Sequence, residues 1–144
     1  MKKQTLILLL IISTVKLSIA QSDTLFNYIE KRMHQCLLDT SGVMGQSFCL
    51  SNAVNDWTKE LEKYDKLIIA KLAGQLKQDY IESQSKWRAY MNSEIALAEQ
   101  LEKKYYEENP QMILYPQIAT ERELNVIKTR VLELVDYLNL ISNK

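Results

Sequence analysis

The side chains with chemical reach are two cysteines, one histidine and many carboxylates. His34 and Cys36 could form an activated thiol pair if the cysteine were free. Two residues apart on a helix, however, they would point roughly 200° away from each other. A zinc site needs about four ligands, and the sequence has neither Cys-x-x-Cys nor His-Glu-x-x-His spacing. Gly42, Gly45 and Gly74 make neither G-x-G-x-x-G nor a P-loop, so no phosphate cradle is visible. Carboxylate pairs such as Glu60 with Glu62, Glu94 with Glu99, Glu107 with Glu108 and Glu121 with Glu123 raise glycoside hydrolysis by two acids. Glu60 with Lys63 and Glu99 with Lys103 instead have the three- and four-residue spacing of surface ion pairs on a helix. The residues therefore assign no catalytic group, no metal site and no cofactor, and point to a protein that is not an enzyme.

Two polar residues stand out by position. Gln84 and Glu94 fall on an otherwise apolar seam, where a polar group must find a partner or stay wet. Either they hydrogen-bond inside the fold and fix its register, or they mark a cleft. Trp57, Trp87 and Tyr90 read as core anchors. The segment from Tyr105 to Tyr115 combines Tyr105, Tyr106, Glu107, Glu108 and Tyr115 with a proline-bounded loop. It is the candidate partner-binding surface, the alternative being a connector that folds over and buries Ile113 and Leu114.

The elements that must position these groups are helices. The chain has 144 residues, 47% of them hydrophobic and only three glycines and two prolines, a composition that disfavours an all-β sandwich and suits one helical domain. The spacing predicts a first helix over 24–38, with Asp23 as N-cap and Leu25, Phe26, Ile29, Met33, Cys36 and Leu37 as its stripe. A second begins near Gln46 and carries Leu50, Val54, Trp57, Leu61, Tyr64 and Ile68. An unbroken rod could continue from there, but Ala73-Gly74-Gln75 favours a turn. The third helix has a seam of Tyr80, Gln84, Trp87, Met91, Glu94, Ala98, Leu101 and Tyr105, alternating by four and three. Glu108-Asn109-Pro110 stops it, and Pro116 closes a short connector. A fourth helix over 120–141 places Leu124, Ile127, Val131, Leu134, Leu138 and Ile141 on one side. Each stripe needs another helix to cover it, so the expected fold is all-α, an elongated antiparallel bundle of about four helices.

Residues 1–20 have the layout of a secretory signal: Lys2 and Lys3, an apolar run from Leu6 to Ile12, then Ser18-Ile19-Ala20. The apolar run is interrupted by Ser13, Thr14 and Lys16, short of the roughly 20 residues that span a bilayer. Cleavage after Ala20 leaves a single domain over 21–144 with no stable membrane anchor, periplasmic or secreted. The residue directly after that point is Gln21, not the cysteine that lipid attachment requires. Eighteen basic and 18 acidic side chains balance in the whole sequence, and cleavage removes Lys2, Lys3 and Lys16 but no acid, leaving a mild negative excess. No cationic stripe exists to neutralise phosphates, so nucleic acid is excluded as a partner. In an oxidising compartment Cys36 and Cys49 pair, across a turn containing Thr40-Ser41-Gly42 and Gly45.

Gln84-Ser85-Lys86-Trp87-Arg88-Ala89-Tyr90 resembles the Q-x-x-W-x-x-Y/F segment of the LprI-type lysozyme-inhibitor N-terminal domain family. Cys36 and Cys49 resemble that family's first two cysteines, and Trp57-Thr58-Lys59-Glu60-Leu61 its W/D-x-x-x-L stretch; Leu61 to Tyr90 then fits without a gap. Thr129-Arg130-Val131-Leu132-Glu133-Leu134 resembles the T-x-R-x-x-E-L end of some members. The chain departs from the pattern at Glu62, where Asn is common, and at Asp65, where a tyrosine is expected and Tyr64 stands one earlier. After Tyr90 come Met91-Asn92 rather than Arg-Asp, and no further cysteine follows. The resemblance implies an exported helical protein that binds and inhibits a lysozyme, with Trp57, Leu61, Gln84, Trp87 and Tyr90 in structural roles. The alternatives are an exported interaction module with a different protein partner and, more remotely, a carboxylate enzyme acting on peptidoglycan.

Overall fold

The computed structural model describes residues 26–111 and 117–142. The expected signal segment, the Asp23 cap and residues 112–116, with Tyr115, Ile113 and Leu114, lie outside them. The described residues form four helices and no strand: α1 Asn27–Asp39, α2 Val43–Lys71, α3 Gly74–Glu108 and α4 Ile118–Ser142.

Local chemistry sets the boundaries. Gly42 has φ +85°, a backbone that L side chains rarely adopt, and its carbonyl accepts the Gln46 N–H at 3.2 Å. That closes the first turn of α2 at Val43, three residues before the expected start. The break between α2 and α3 falls at Leu72-Ala73, where the Leu72 N–H returns to the Ile68 carbonyl at 3.1 Å. Gly74 supplies the φ of +58° with which α3 begins. At the other end of α3, Asn109 bonds backward twice, through its N–H to the Tyr106 carbonyl at 3.2 Å and through Nδ2 to the Tyr105 carbonyl at 2.9 Å.

Contacts between helices give their directions. Tyr28 meets Glu60 and Arg32 meets Asp56, so α1 runs against α2. Glu102 meets the Ala119 N–H, Glu94 meets Arg122 and Gln84 meets Arg130, so α4 runs back along α3. Consecutive helices are thus antiparallel, and α2 and α4 lie parallel as the broadest contact of the bundle.

The core sits between that parallel pair. Trp57, Leu61 and Ile68 of α2 interlock with Ile127, Val131 and Leu134 of α4, all almost wholly buried, joined by Phe26 just before α1 and by Ile29 within it. Burying each such side chain stabilises the fold by about 1.5–3 kcal/mol. The α2 stripe is buried throughout, whereas Leu138 and Ile141 are only partly covered. The α3 seam is corrected at Leu101, which is 52% exposed. Its cause is placement: α2 meets α3 chiefly near the Leu72-Ala73 turn, through Asp65 with Tyr80, Gln84 and Arg88, and packs on α4 beyond it. With 35 residues, about 52 Å, against 29, about 44 Å, α3 also outlasts α2 by its last turns, beyond Glu102.

Cys36 and Cys49 are joined by a disulfide, with Cα atoms 5.6 Å apart, clamping the end of α1 to the second turn of α2. The Thr40 hydroxyl donates to the Cys36 carbonyl at 2.6 Å in the same corner. The bridge removes the free thiol that a Cys36–His34 nucleophile would need. No described helix is long and apolar enough to cross a membrane.

Candidate functional site

The polar residues of the α3 seam anchor a hydrogen-bonded hub across three helices. Gln84 is 6% exposed, as is Arg130 opposite it on α4. Gln84 Oε1 accepts from Arg130 Nε at 3.2 Å and Nη2 at 3.1 Å. Gln84 Nε2 donates to Asp65 Oδ1 of α2 at 3.0 Å and to the Tyr80 hydroxyl at 2.5 Å, and Tyr80 itself donates to Asp65 at 2.8 Å. The amide thus uses both donors and both acceptor positions. Burial first, and the bond to Asp65 second, push the Tyr80 pKa well above that of a free phenol. Arg130 Nη1 donates to Glu133 at 2.8 Å, and its guanidinium lies 5.6 Å over the Trp87 ring and 5.8 Å over that of Tyr137. Of the two readings open for Gln84, hydrogen bonding inside the bundle is the one realised.

A second anchor joins α1, α2 and α4. Trp57, 1% exposed, packs against Phe26 at 4.9 Å and donates its indole N–H to Glu30 at 3.2 Å. Glu30 also pairs with Lys128 at 3.0 Å. Trp57, Leu61, Gln84 and Trp87 therefore hold helices together. Tyr90 is 50% exposed, a correction to its reading as a core anchor, and reaches α4 only at its hydroxyl, which accepts from Arg122 at 3.4 Å.

Tyr90 stands at the lip of a groove of about 290 Å³ between α3 and α4, with Trp87, Arg122, Val126 and Glu133 among its walls. Glu94 reaches across to Arg122 and raises the guanidinium's pKa through their hydrogen bond, so this seam carboxylate is spent on an ion pair at the groove's edge. Two turns further along α3, Glu102 accepts the Ala119 N–H at 3.2 Å and caps the start of α4 from a neighbouring helix.

The expected partner-binding residues sit on the projecting end of α3. The rings of Tyr105 and Tyr106 meet edge to face at 6.1 Å, and both are half-buried. Glu107 and Glu108 are exposed and pair along their own helix with Lys103 at 3.9 Å and Lys104 at 3.7 Å. Lys103 thus turns toward Glu107 rather than toward the expected Glu99, whereas Lys63 does pair with Glu60, at 2.7 Å. Tyr115 lies outside the described residues. Among the described residues no group of three His, Cys, Asp or Glu side chains could hold a metal ion.

Sequence reasoning missed Asp65, Arg122 and Arg130 as partners. A trace existed for Arg130, which is spaced four after Val126 and three before Glu133 on a helix whose neighbouring positions are apolar. Nothing in the spacing of α2 marked Asp65, because its partners come from another helix.

The two segments that meet in the hub are the Gln84–Tyr90 and Thr129–Leu134 stretches on which the family resemblance rested. The sequence profile of the family described as Lysozyme inhibitor LprI matches residues 28–134. The chain belongs to the LprI family. The LprI match runs from the start of α1 through most of α4, so it takes in the disulfide, the hub and the groove. No curated protein and no solved structure matches the chain.

Proposed function

We propose that this protein is exported and inhibits a lysozyme by occupying the enzyme's surface, without catalysis of its own. Membership of the LprI family carries the reading. The architecture supports it, because an inhibitor that blocks a cleft gains affinity from rigidity, and the disulfide and the three-helix hub both restrict motion. Charge supports it too. The α3 segment from Glu94 to Glu108 and the start of α4 together hold seven carboxylates, Glu94, Glu99, Glu102, Glu107, Glu108, Glu121 and Glu123, against three cations, Lys103, Lys104 and Arg122. This acidic end, with Tyr105, Tyr106 and the connector bearing Tyr115, is the proposed binding region for a basic lysozyme.

The test is the loss of turbidity of a cell-wall suspension treated with lysozyme. Purified protein should slow it at micromolar concentration, and raising salt from about 0.05 to 0.5 M should weaken the effect as charges are screened. Unchanged lysis at high micromolar protein would remove the reading and leave an interaction module with another partner.

A further inference from the structure

Along α3, Tyr90, Leu97 and Leu101 are spaced by seven and four residues, which puts them within a narrow arc on one flank of the helix. They are 50%, 52% and 52% exposed, and Ile118 at the start of α4 is 36% exposed. Three contacts hold the helices together beside this flank: Arg122 with Glu94, Arg122 with the Tyr90 hydroxyl at 3.4 Å, and the Ala119 N–H with Glu102. The other flank of α3 faces α2 through Gln84, Arg88 and Asp65. The short α1 makes its polar contacts to Asp56, Trp57 and Glu60 of α2 and to Lys128 of α4. Among the described residues the face is therefore uncovered.

We infer that this α3–α4 face is the surface that seats a lysozyme, with Tyr90, Leu97, Leu101 and Ile118 at the centre of the contact. The inference rests on the inhibitor reading and specifies where it is carried out. An apolar and aromatic centre within a charged rim is the anatomy of a specific protein interface. The centre extends about 16 Å from Tyr90 to Leu101, and the rim is the acidic end of the molecule, so the fitting partner is a protein with a cationic surface. That charge complementarity favours a basic lysozyme over a second copy of this acidic end, which would meet its own charge.

Binding of the full chain to lysozyme by calorimetry tests the assignment. Tyr90→Ala and Leu97→Ser should each weaken affinity about tenfold or more, the loss typical of a central contact. Leu140→Ser, a change at the opposite end of the bundle where Leu140 is 69% exposed, should leave affinity unaltered. Because these side chains lie outside the core, thermal unfolding should match that of the unsubstituted protein, and Leu101→Ser substitutes for any variant that fails this check. If the α3 variants bind lysozyme as tightly as the unsubstituted protein, the face is wrongly assigned while the inhibitor reading survives. If the unsubstituted protein does not bind lysozyme, both are overturned.

Discussion

Replacing Gln84 by alanine tests whether the hub holds α3 against the rest of the bundle. The change deletes the acceptor of two hydrogen bonds from a guanidinium that is 94% buried with its side chain, at 3.1 and 3.2 Å, while Asp65 and Tyr80 keep their mutual bond at 2.8 Å. Hydrogen bonds to charged groups contribute about 1.5–3 kcal/mol each, but one buried group loses both here and keeps its bond to Glu133, so the two do not add in full. With the cavity left by the missing amide, the expected loss is about 3 kcal/mol. For a domain of this size that corresponds to a fall of roughly 10 °C in Tm. Urea unfolding followed by far-ultraviolet circular dichroism measures it. The same substitution made in an Arg130→Met background should cost only about 1 kcal/mol, giving a coupling near 2 kcal/mol. A loss below 1 kcal/mol in the native background, or a coupling within about 0.5 kcal/mol of zero, would refute the hub as the link between α3 and α4.

Reduction of Cys36–Cys49 should lower stability by on the order of 3 kcal/mol in the loop-entropy account of a ring this size; equal urea midpoints with and without reductant would show that the clamp adds nothing. Tyr80, Tyr28 and Tyr64 all have pKa values raised by burial above the ordinary 10.0. A group held protonated in the folded state contributes fully below the unfolded pKa, so stability should be flat up to about pH 10 and fall as pH rises beyond it. Tyr80→Phe should flatten part of that alkaline decline, and an unchanged slope would show that the phenol is not shielded by the fold.

The helices were legible because their apolar residues recur at helical spacing. Every member of the α2 stripe from Leu50 to Ile68 is buried. What the spacing did not contain is the order of the helices in space. The stripes of α2 and α4 look equally able to pack on α3, and only the three-dimensional contacts reveal that they pack chiefly on each other. For the same reason Leu101 continues the seam in sequence yet is exposed, since periodicity says which residues share a side and not which helix packs there. Gln84 announced itself as a polar residue in an apolar row. Arg130 and Asp65 did not, because a charge on a helix looks solvated until the side chain that takes its hydrogen bond is known. Tyr90 was misread because a large aromatic was taken for an anchor, although it falls off the seam on which Trp87 and Met91 lie.

The parallel pairing of α2 with α4 also governs when the molecule can fold. Val131 and Leu134, the most deeply buried residues of α4, are synthesised some 70 positions after the side chains they cover on α2. Until α4 arrives, α1 and α2 form only a hairpin with an open greasy side. That helix is the keystone, and a chain cut short before Leu124 should persist only as a loosely packed, protease-sensitive fragment.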